Sequence, residues 1–330
     1  MIEVKNLTKK YGEKTAINNI SFTIDDGKIY GLLGPNGAGK STTMNIITGC
    51  LAATEGSVTI SGYDILKEPV KAKQCIGYLP EIPPLYPEMT PYEYLSFVAE
   101  AKGVEYETAF RQVREVIELT QLEDVKDRLI RNLSKGYRQR VGIAQAMIGN
   151  PDIIILDEPT VGLDPKQIIE IRDLIHMLGK TKTVIISSHI LAEISEICEQ
   201  IIIINHGQIV ANDTIENLTD NANNENIIHI SVRGDFETVM TVLNNIDGIV
   251  ECSALESNEP DICEFRLKGS TGEDLRDTIF FAMADKRCAV ITMEKEMSNL
   301  ENIFISLIDT PDTIPDNDSL ESKNDEEGEI

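Results

Sequence analysis

The stretch GPNGAGKST constrains this chain more than any other part of its sequence. It comprises Gly34, Pro35, Asn36, Gly37, Ala38, Gly39, Lys40, Ser41 and Thr42 and fits the pattern G-x-x-x-x-G-K-[ST]. The apolar run KIYGLLG leads into it and the helical pattern STTMNIITG leads out. That context is required for a glycine-rich loop whose backbone N–H groups turn inward around phosphates. In such a loop Lys40 reaches the β- and γ-phosphates, and the Ser41 hydroxyl joins a Mg²⁺ ion.

Further runs of strand character alternate with helical patterns up to about residue 219: IEVKNL, SVTISG, IIILDEP, TVIISSH and QIIIIN. The last three are almost continuous Ile, Val and Leu, as expected for strands buried on both faces. They predict an α/β fold with a mostly parallel core sheet covered by helices. Residues 90–150 read as a helical subdomain inserted between strands. It opens at Thr90 with a capping box to Glu93 and with Pro91 at the first helical position. Within it, AFRQVREVIELT places Phe110, Val113 and Ile117 on one helical face.

Asn-rich residues 220–226 read as a linker. Residues 227–308 then run β-α-β-β-α-β, the order of a ferredoxin-like split βαβ domain. A last helix is expected from Ser298, with a capping box to Glu301. Residues 309–330 are acidic, lack aromatics and read as a disordered tail.

The formal net charge of the 330-residue chain is −25, which disfavours binding to nucleic-acid phosphates. The N-terminus lacks an apolar core of signal-peptide length, and no run reaches the roughly 20 apolar residues of a membrane span. The six cysteines form no C-x-x-C pair. They read as small buried hydrophobes in a reducing cytosol, not as zinc ligands or disulfides.

Three features outside the glycine-rich loop carry chemistry. Asp157 and Glu158 end a buried strand, at the carboxyl edge where ligands bind in parallel sheets. Beside a phosphate loop, Asp157 fits the metal's shell and Glu158 a proton acceptor for an attacking water. His189 ends the strand expected next to theirs, within reach of a γ-phosphate. In LSKGYRQR, Ser134 caps a helix whose first turn contains Gly136, and that positive end favours an anion.

The order GPNGAGKST, LSKGYRQR, ILDEPTVGLDP and the histidine of ISSHI resembles the ATP-binding cassette (ABC) ATPases over about residues 1–219. The resemblance implies ATP and Mg²⁺ as cofactors and gives the residues roles. Tyr11 stacks on adenine, Gly34 to Thr42 hold the phosphates, and Ser134 and Gly136 form the signature motif. Asp157 and Glu158 are the metal-binding and catalytic acids, Asp164 belongs to the D-loop, and His189 is the switch histidine. It implies that two cassettes stack head to tail, each signature helix gripping the γ-phosphate held by its partner. Lys135 and Tyr137 depart from the usual signature. Glu81, in IGYLPEIPPLYP, stands in the place of the Q-loop glutamine and faces the metal and water. YLPE together with LSKGYRQR is similar to type-2 exporter ATPases, including gliding-motility and drug or peptide-antibiotic exporters.

The expectation is therefore a cytoplasmic ATPase subunit, peripheral on the inner face of the cell membrane. It would work as a dimer of identical chains on a separately encoded transmembrane permease. The other reading is a soluble ABC-type ATPase acting on ribosomes or nucleic acid. Such proteins usually carry two cassettes in one chain, long coiled coils or zinc cysteines, and the sequence has none of these.

Overall fold

The computed structural model describes residues 1–223, 226–255, 257, 261–270, 274–295 and 304–305. Along the chain, β1 (Ile2–Tyr11), β2 (Lys14–Ile24) and β3 (Ile29–Leu33) precede α1 (Lys40–Ile47). Next come β4 (Glu55–Ile60), β5 (Tyr63–Asp64), α2 (Pro69–Gln74) and β6 (Ile76–Leu79). The helical subdomain holds α3 (Pro91–Ala101), α4 (Tyr106–Leu119) and α5 (Lys135–Met147). The chain returns to the sheet through β7 (Ile153–Leu156), α6 (Pro165–Gly179), β8 (Thr183–Ser188), α7 (Leu191–Ile197), β9 (Gln200–Asn205) and β10 (Gln208–Thr214).

The central sheet has the order β10-β9-β3-β8-β7-β6. Its pairings are parallel except for β10, which turns back antiparallel on β9. Alternate residues of these strands enter two different cores. Ile154, Leu156, Val184, Ile186, Ile201 and Ile203 join the helices in the larger one. Their neighbours Ile153, Ile155, Ile185, Ile202 and Ile204 join a second core. With apolar partners on both sides, period-2 strands lose their polar alternation, which is why the middles of these runs are Ile, Val and Leu. The second core is closed by a separate antiparallel sheet, order β2-β1-β4-β5. Helix α1 contributes Met44, Ile46 and Ile47 to that same core, so the helix after the glycine-rich loop is anchored by burial.

Strands β2, β5, β6 and β10 were not legible as runs. β2 buries only Ile17, Ile20, Phe22 and Ile24 among polar neighbours, and β6 has four residues. The helical insertion matches the expectation. Thr90 Oγ1 accepts from Glu93 N at 3.2 Å, and the Glu93 carboxylate accepts from Thr90 N at 2.9 Å. The face read for α4 needs correction. Val113, Val116 and Ile117 are buried, whereas Phe110 is 48% exposed. At this turn Ala109 is the residue that packs against the core, and the Phe110 ring instead lies 5.7 Å from the Arg114 guanidinium.

The cysteine expectation holds only for Cys198 and Cys288, which are buried; Cys50 is exposed and the others are half-buried, and all six are free thiols. Burial pushes the Cys198 thiol up from its ordinary value.

The Asn-rich stretch also differs from its reading. Helix α8 (Ile215–Asn223) extends into its first part, up to residue 223. Ile215 and Leu218 pack against the larger core, and Thr214 Oγ1 accepts from Asn217 N at 3.1 Å. Beyond it, β11 (Asn226–Arg233), α9 (Phe236–Asn244), β12 (Ile249–Leu255), β13 (Ile262–Gly269), α10 (Arg276–Asp285) and β14 (Ala289–Lys295) follow the β-α-β-β-α-β order. The sheet order is β12-β13-β11-β14 with antiparallel pairing throughout, the arrangement of a split βαβ unit. Val239, Leu243, Ile279 and Met283 of the two helices meet Ile228, Ile230, Phe265 and Leu267 of the sheet in a third core. The capping box expected at Ser298 and the acidic segment 309–330 lie outside the described residues. Among the described residues, no helix is long and apolar enough to cross a membrane.

Ile154 is fully buried in the larger core, on a strand held from both sides. Ile154→Ala should destabilise the chain by about 2–5 kcal/mol, read as a lower urea midpoint with an unchanged slope.

Candidate active site

Strands β3, β7 and β8 are neighbours in parallel register, with Leu33 opposite Ser188 and Leu156 opposite Ile186. The residues following each strand therefore emerge at one sheet edge. After β3 comes the glycine-rich loop, which enters α1 through Gly39 at φ 114°. A Cβ there would lie 2.9 Å from the Ala16 carbonyl oxygen, so both backbone angle and space require glycine. No side chain caps α1, which leaves its first-turn N–H groups open to an anion.

Lys40 is 6% exposed. Its Nζ donates to the Gly34 carbonyl at 2.8 Å and to that of Pro35 at 3.3 Å, and lies 3.6 Å from Glu158 Oε1. His189 Nδ1 approaches the Glu158 carboxylate at 3.0 and 3.2 Å. Lysine, glutamate and histidine from three strand ends thus form one contact group. Glu158 has φ 48°, a left-handed conformation that is strained for a residue with a side chain. Ser187 secures this turn. Its hydroxyl accepts from Glu158 N at 2.8 Å and donates to Asp157 Oδ1 at 2.5 Å.

Asp157 Oδ1 also accepts from Ser41 Oγ at 3.3 Å. A hydroxyl beside a carboxylate, next to a phosphate loop, is a set of hard oxygen donors that fits Mg²⁺ shared with nucleotide phosphates. Below them Tyr78 donates to Asn45 Oδ1 at 3.3 Å. Burial first, and then the charge of Asp157, push its phenol well above the ordinary value, so it stays neutral beside the acid.

Lys40, Ser41, Glu158 and His189 open onto a cavity of about 1250 Å³, lined also by Tyr11, the rest of the loop from Pro35 to Thr42 and Glu81, while Asp157 is not part of its wall. Tyr11 is half exposed, with Lys9 Nζ 5.1 Å from its ring centroid. The cavity wall also includes Lys14, Thr15, Ala16, Val161, Asn205 and His206, which the sequence reading missed. They come from β2, β9 and the loops after β7 and β9, and no local pattern marks them. Ser187 was missed as well, although its place one strand-end away from Asp157 follows once β7 and β8 are paired.

Ser134, Gly136 and Asp164 do not line this cavity. They gather in a second cluster. Ser134 caps α5, accepting from Tyr137 N at 3.3 Å, and Asp164 caps α6, accepting from Gln167 N at 2.9 Å. The two helix starts pack together: a Cβ on Gly136 would lie 2.6 Å from the Gln167 side-chain amide, and the Lys135 amine packs over Gly162.

A family model described as ABC transporter matches residues 17–161. The chain is 33% identical over 313 residues to the linearmycin resistance ATP-binding protein LnrL of Bacillus subtilis (strain 168), covering 93% of this chain and 98% of that protein. The chain belongs to the ATP-binding proteins of ABC transporters. This ABC ATPase is also 38% identical over 229 residues to the lantibiotic transport ATP-binding protein SrtF of Streptococcus pyogenes, covering 68% of the chain and 97% of the relative. Among solved structures, it is similar to a dimeric ATP-binding cassette in a post-hydrolysis state with ADP and Pi. There the TM-score is 0.60 and the identity 30%, over 65% of this chain and 99% of that one. The chain is thus an ATP-binding, ATP-hydrolysing transport subunit of the type-2 exporter group.

Ser187 is fully buried, and its removal leaves both Asp157 and the Glu158 N–H short of a partner. Ser187→Ala should therefore lower stability by about 1–3 kcal/mol, seen as a lower melting temperature of the purified ATPase.

Proposed function

We propose that this ABC ATPase acts as a head-to-tail dimer beneath a separately encoded membrane permease, closing on two ATP molecules and reopening after hydrolysis. The observation that carries the reading is the separation of two anion-seeking clusters in one chain. The cavity holding the glycine-rich loop lacks Ser134, Gly136 and Asp164, which cluster at the starts of α5 and α6. A second cassette supplying its own α5 start would complete each site, and the dimeric relative is in keeping with this.

In this reading the adenine stacks on Tyr11, and the N–H groups of the loop from Gly34 to Thr42 hold the phosphates. Lys40 exchanges its contacts with Gly34, Pro35 and Glu158 for the β- and γ-phosphates. Ser41 and Asp157 hold Mg²⁺, with Glu81 facing the same region through water. When bound, Mg²⁺ neutralises phosphate charge. Glu158, released by Lys40, accepts the proton of the water that attacks the γ-phosphorus as the bond to the ADP oxygen breaks. His189 turns from Glu158 to a γ-phosphate oxygen, and the partner's signature residues grip the other side.

The permease is proposed to press beside Glu81. Ile82 is 82% exposed there. Nearby, Tyr86 meets Tyr94 edge-on and Phe97 at a tilt, at centroid distances of 5.8 and 5.4 Å, with Tyr86 and Phe97 each nearly half exposed. That contact would hold the ATPase on the cytoplasmic face of the membrane. The names of the linearmycin-resistance and lantibiotic-transport relatives support export of a drug or peptide-like molecule. The division of the chain after residue 219 is likewise our proposal; every proposed site residue precedes it.

Glu158→Gln should leave ATP affinity intact and reduce turnover by about 10²–10⁴-fold. Phosphate release from the permease-bound complex measures this, and a near wild-type rate would refute the assignment of Glu158. The shared site is tested by mixing Lys40→Ala and Ser134→Arg chains, each carrying Glu158→Gln and a different tag. Mixed dimers should be trapped by ATP, because one of their sites combines an intact Lys40 with an intact Ser134. If both residues served the same chain's ATP, every site would keep one defect and no mixed dimer would be trapped.

A further inference from the structure

One buried acid has no part in the mechanism above. Glu193 lies in the first turn of α7 and is 7% exposed. Its Oε2 accepts from Thr160 Oγ1 at 2.6 Å and from Ser188 Oγ at 3.2 Å. Ser188 Oγ in turn accepts from Ile190 N at 3.0 Å. Among the described residues Glu193 has no ion pair. A buried carboxylate satisfied only by hydroxyls costs more than an apolar side chain of similar size, so stability alone does not account for it.

The positions of its partners do. Ser188 and Ile190 flank His189, and Thr160 lies two residues after Glu158. Through one oxygen atom, Glu193 closes the chain Ile190 N–H, Ser188 O–H, carboxylate and Thr160 O–H. It thereby ties the His189 turn to the segment leaving the strained Glu158. Ser187 holds Glu158 from the other side. Glu193 itself does not line the cavity.

We infer that Glu193 is a positioning residue for ATP hydrolysis, fixing the turn that carries His189 against the segment after Glu158. The inference rests on the roles of Glu158 and His189 given above. Pre-set backbone matters here because His189 must move between Glu158 and the γ-phosphate by side-chain rotation, with its Cα held still.

The test compares Glu193→Ala, Glu193→Gln, His189→Ala and the Glu193→Ala/His189→Ala double variant, each in the permease-bound complex. Glu193→Ala should lower kcat by about tenfold to a hundredfold, the scale of a small misplacement of reacting groups. KM for ATP and nucleotide affinity should stay within about twofold. Glu193→Gln should recover most of the rate, since an amide oxygen accepts the same two hydroxyls. In the His189→Ala background, Glu193→Ala should cost little more, because what it positions is already gone. Thr160→Val, which deletes one donor at constant volume, should show the same pattern more weakly and stands in if Glu193→Ala does not fold.

Equal losses in the presence and absence of His189, or no recovery with glutamine in a folded protein, would overturn the inference. A His189→Ala protein that hydrolyses ATP at the wild-type rate would remove the role of His189 itself, and this inference with it.

Discussion

The parallel pairing of β3, β8 and β7 is the constraint on which the rest depends. β3 and β8 end level, Leu33 opposite Ser188, and β7 ends at Leu156 opposite Ile186, so whatever follows them is delivered to one edge. β3 delivers the glycine-rich loop, β7 delivers Asp157 and Glu158, and β8 delivers Ser187 to His189. Burial on both faces fixes the register. A one-residue slip would exchange the residues meant for the helical core with those meant for the core under the antiparallel sheet. The apolar cores on either side thus set the positions of polar groups that contribute little to holding the fold.

The polar groups at that edge are arranged as a reserve of exchangeable contacts. Lys40 and Glu158 are both nearly buried, and each would be costly to leave without partners. Backbone carbonyls and Glu158 satisfy Lys40, while Lys40 and His189 satisfy Glu158. In the proposed mechanism an arriving triphosphate would offer Lys40 and His189 a stronger partner, and the same exchange would free the acid. Ser187 stands apart from that exchange. Its two hydrogen bonds fix the backbone of the acid pair whichever partner the side chains hold.

Much of this was written locally. A loop of nine residues carries its own requirement for a strand before it and a helix after it. The Ile-rich runs announce two-sided burial, and Thr90 with Glu93 announces a helix start. Other parts could not be read this way. β2 and β6 become strands because neighbours supply their hydrogen bonds, and α8 reaches into the Asn-rich stretch from Ile215 and Leu218, which find apolar surface. Phe110 has the right spacing for a core position, yet at that turn Ala109 meets the core and Phe110 stays exposed. Periodicity reports which residues share a face and is silent on how far the opposing surface reaches.

The sequence by itself determined the phosphate loop, the acid pair, the histidine and the signature helix start, because each depends on residues adjacent in the chain. Tertiary structure alone decided which of these meet. Pairing of distant strands brought Lys40, Glu158 and His189 into contact and enlisted Ser187 and Glu193 to hold them. Packing of α5 on α6 drew Ser134, Gly136 and Asp164 into a separate cluster. Contacts of that kind join segments 31 residues apart in the case of Glu158 and His189 and 116 apart in the case of Ser41 and Asp157, where only the path of the folded chain fixes the distance.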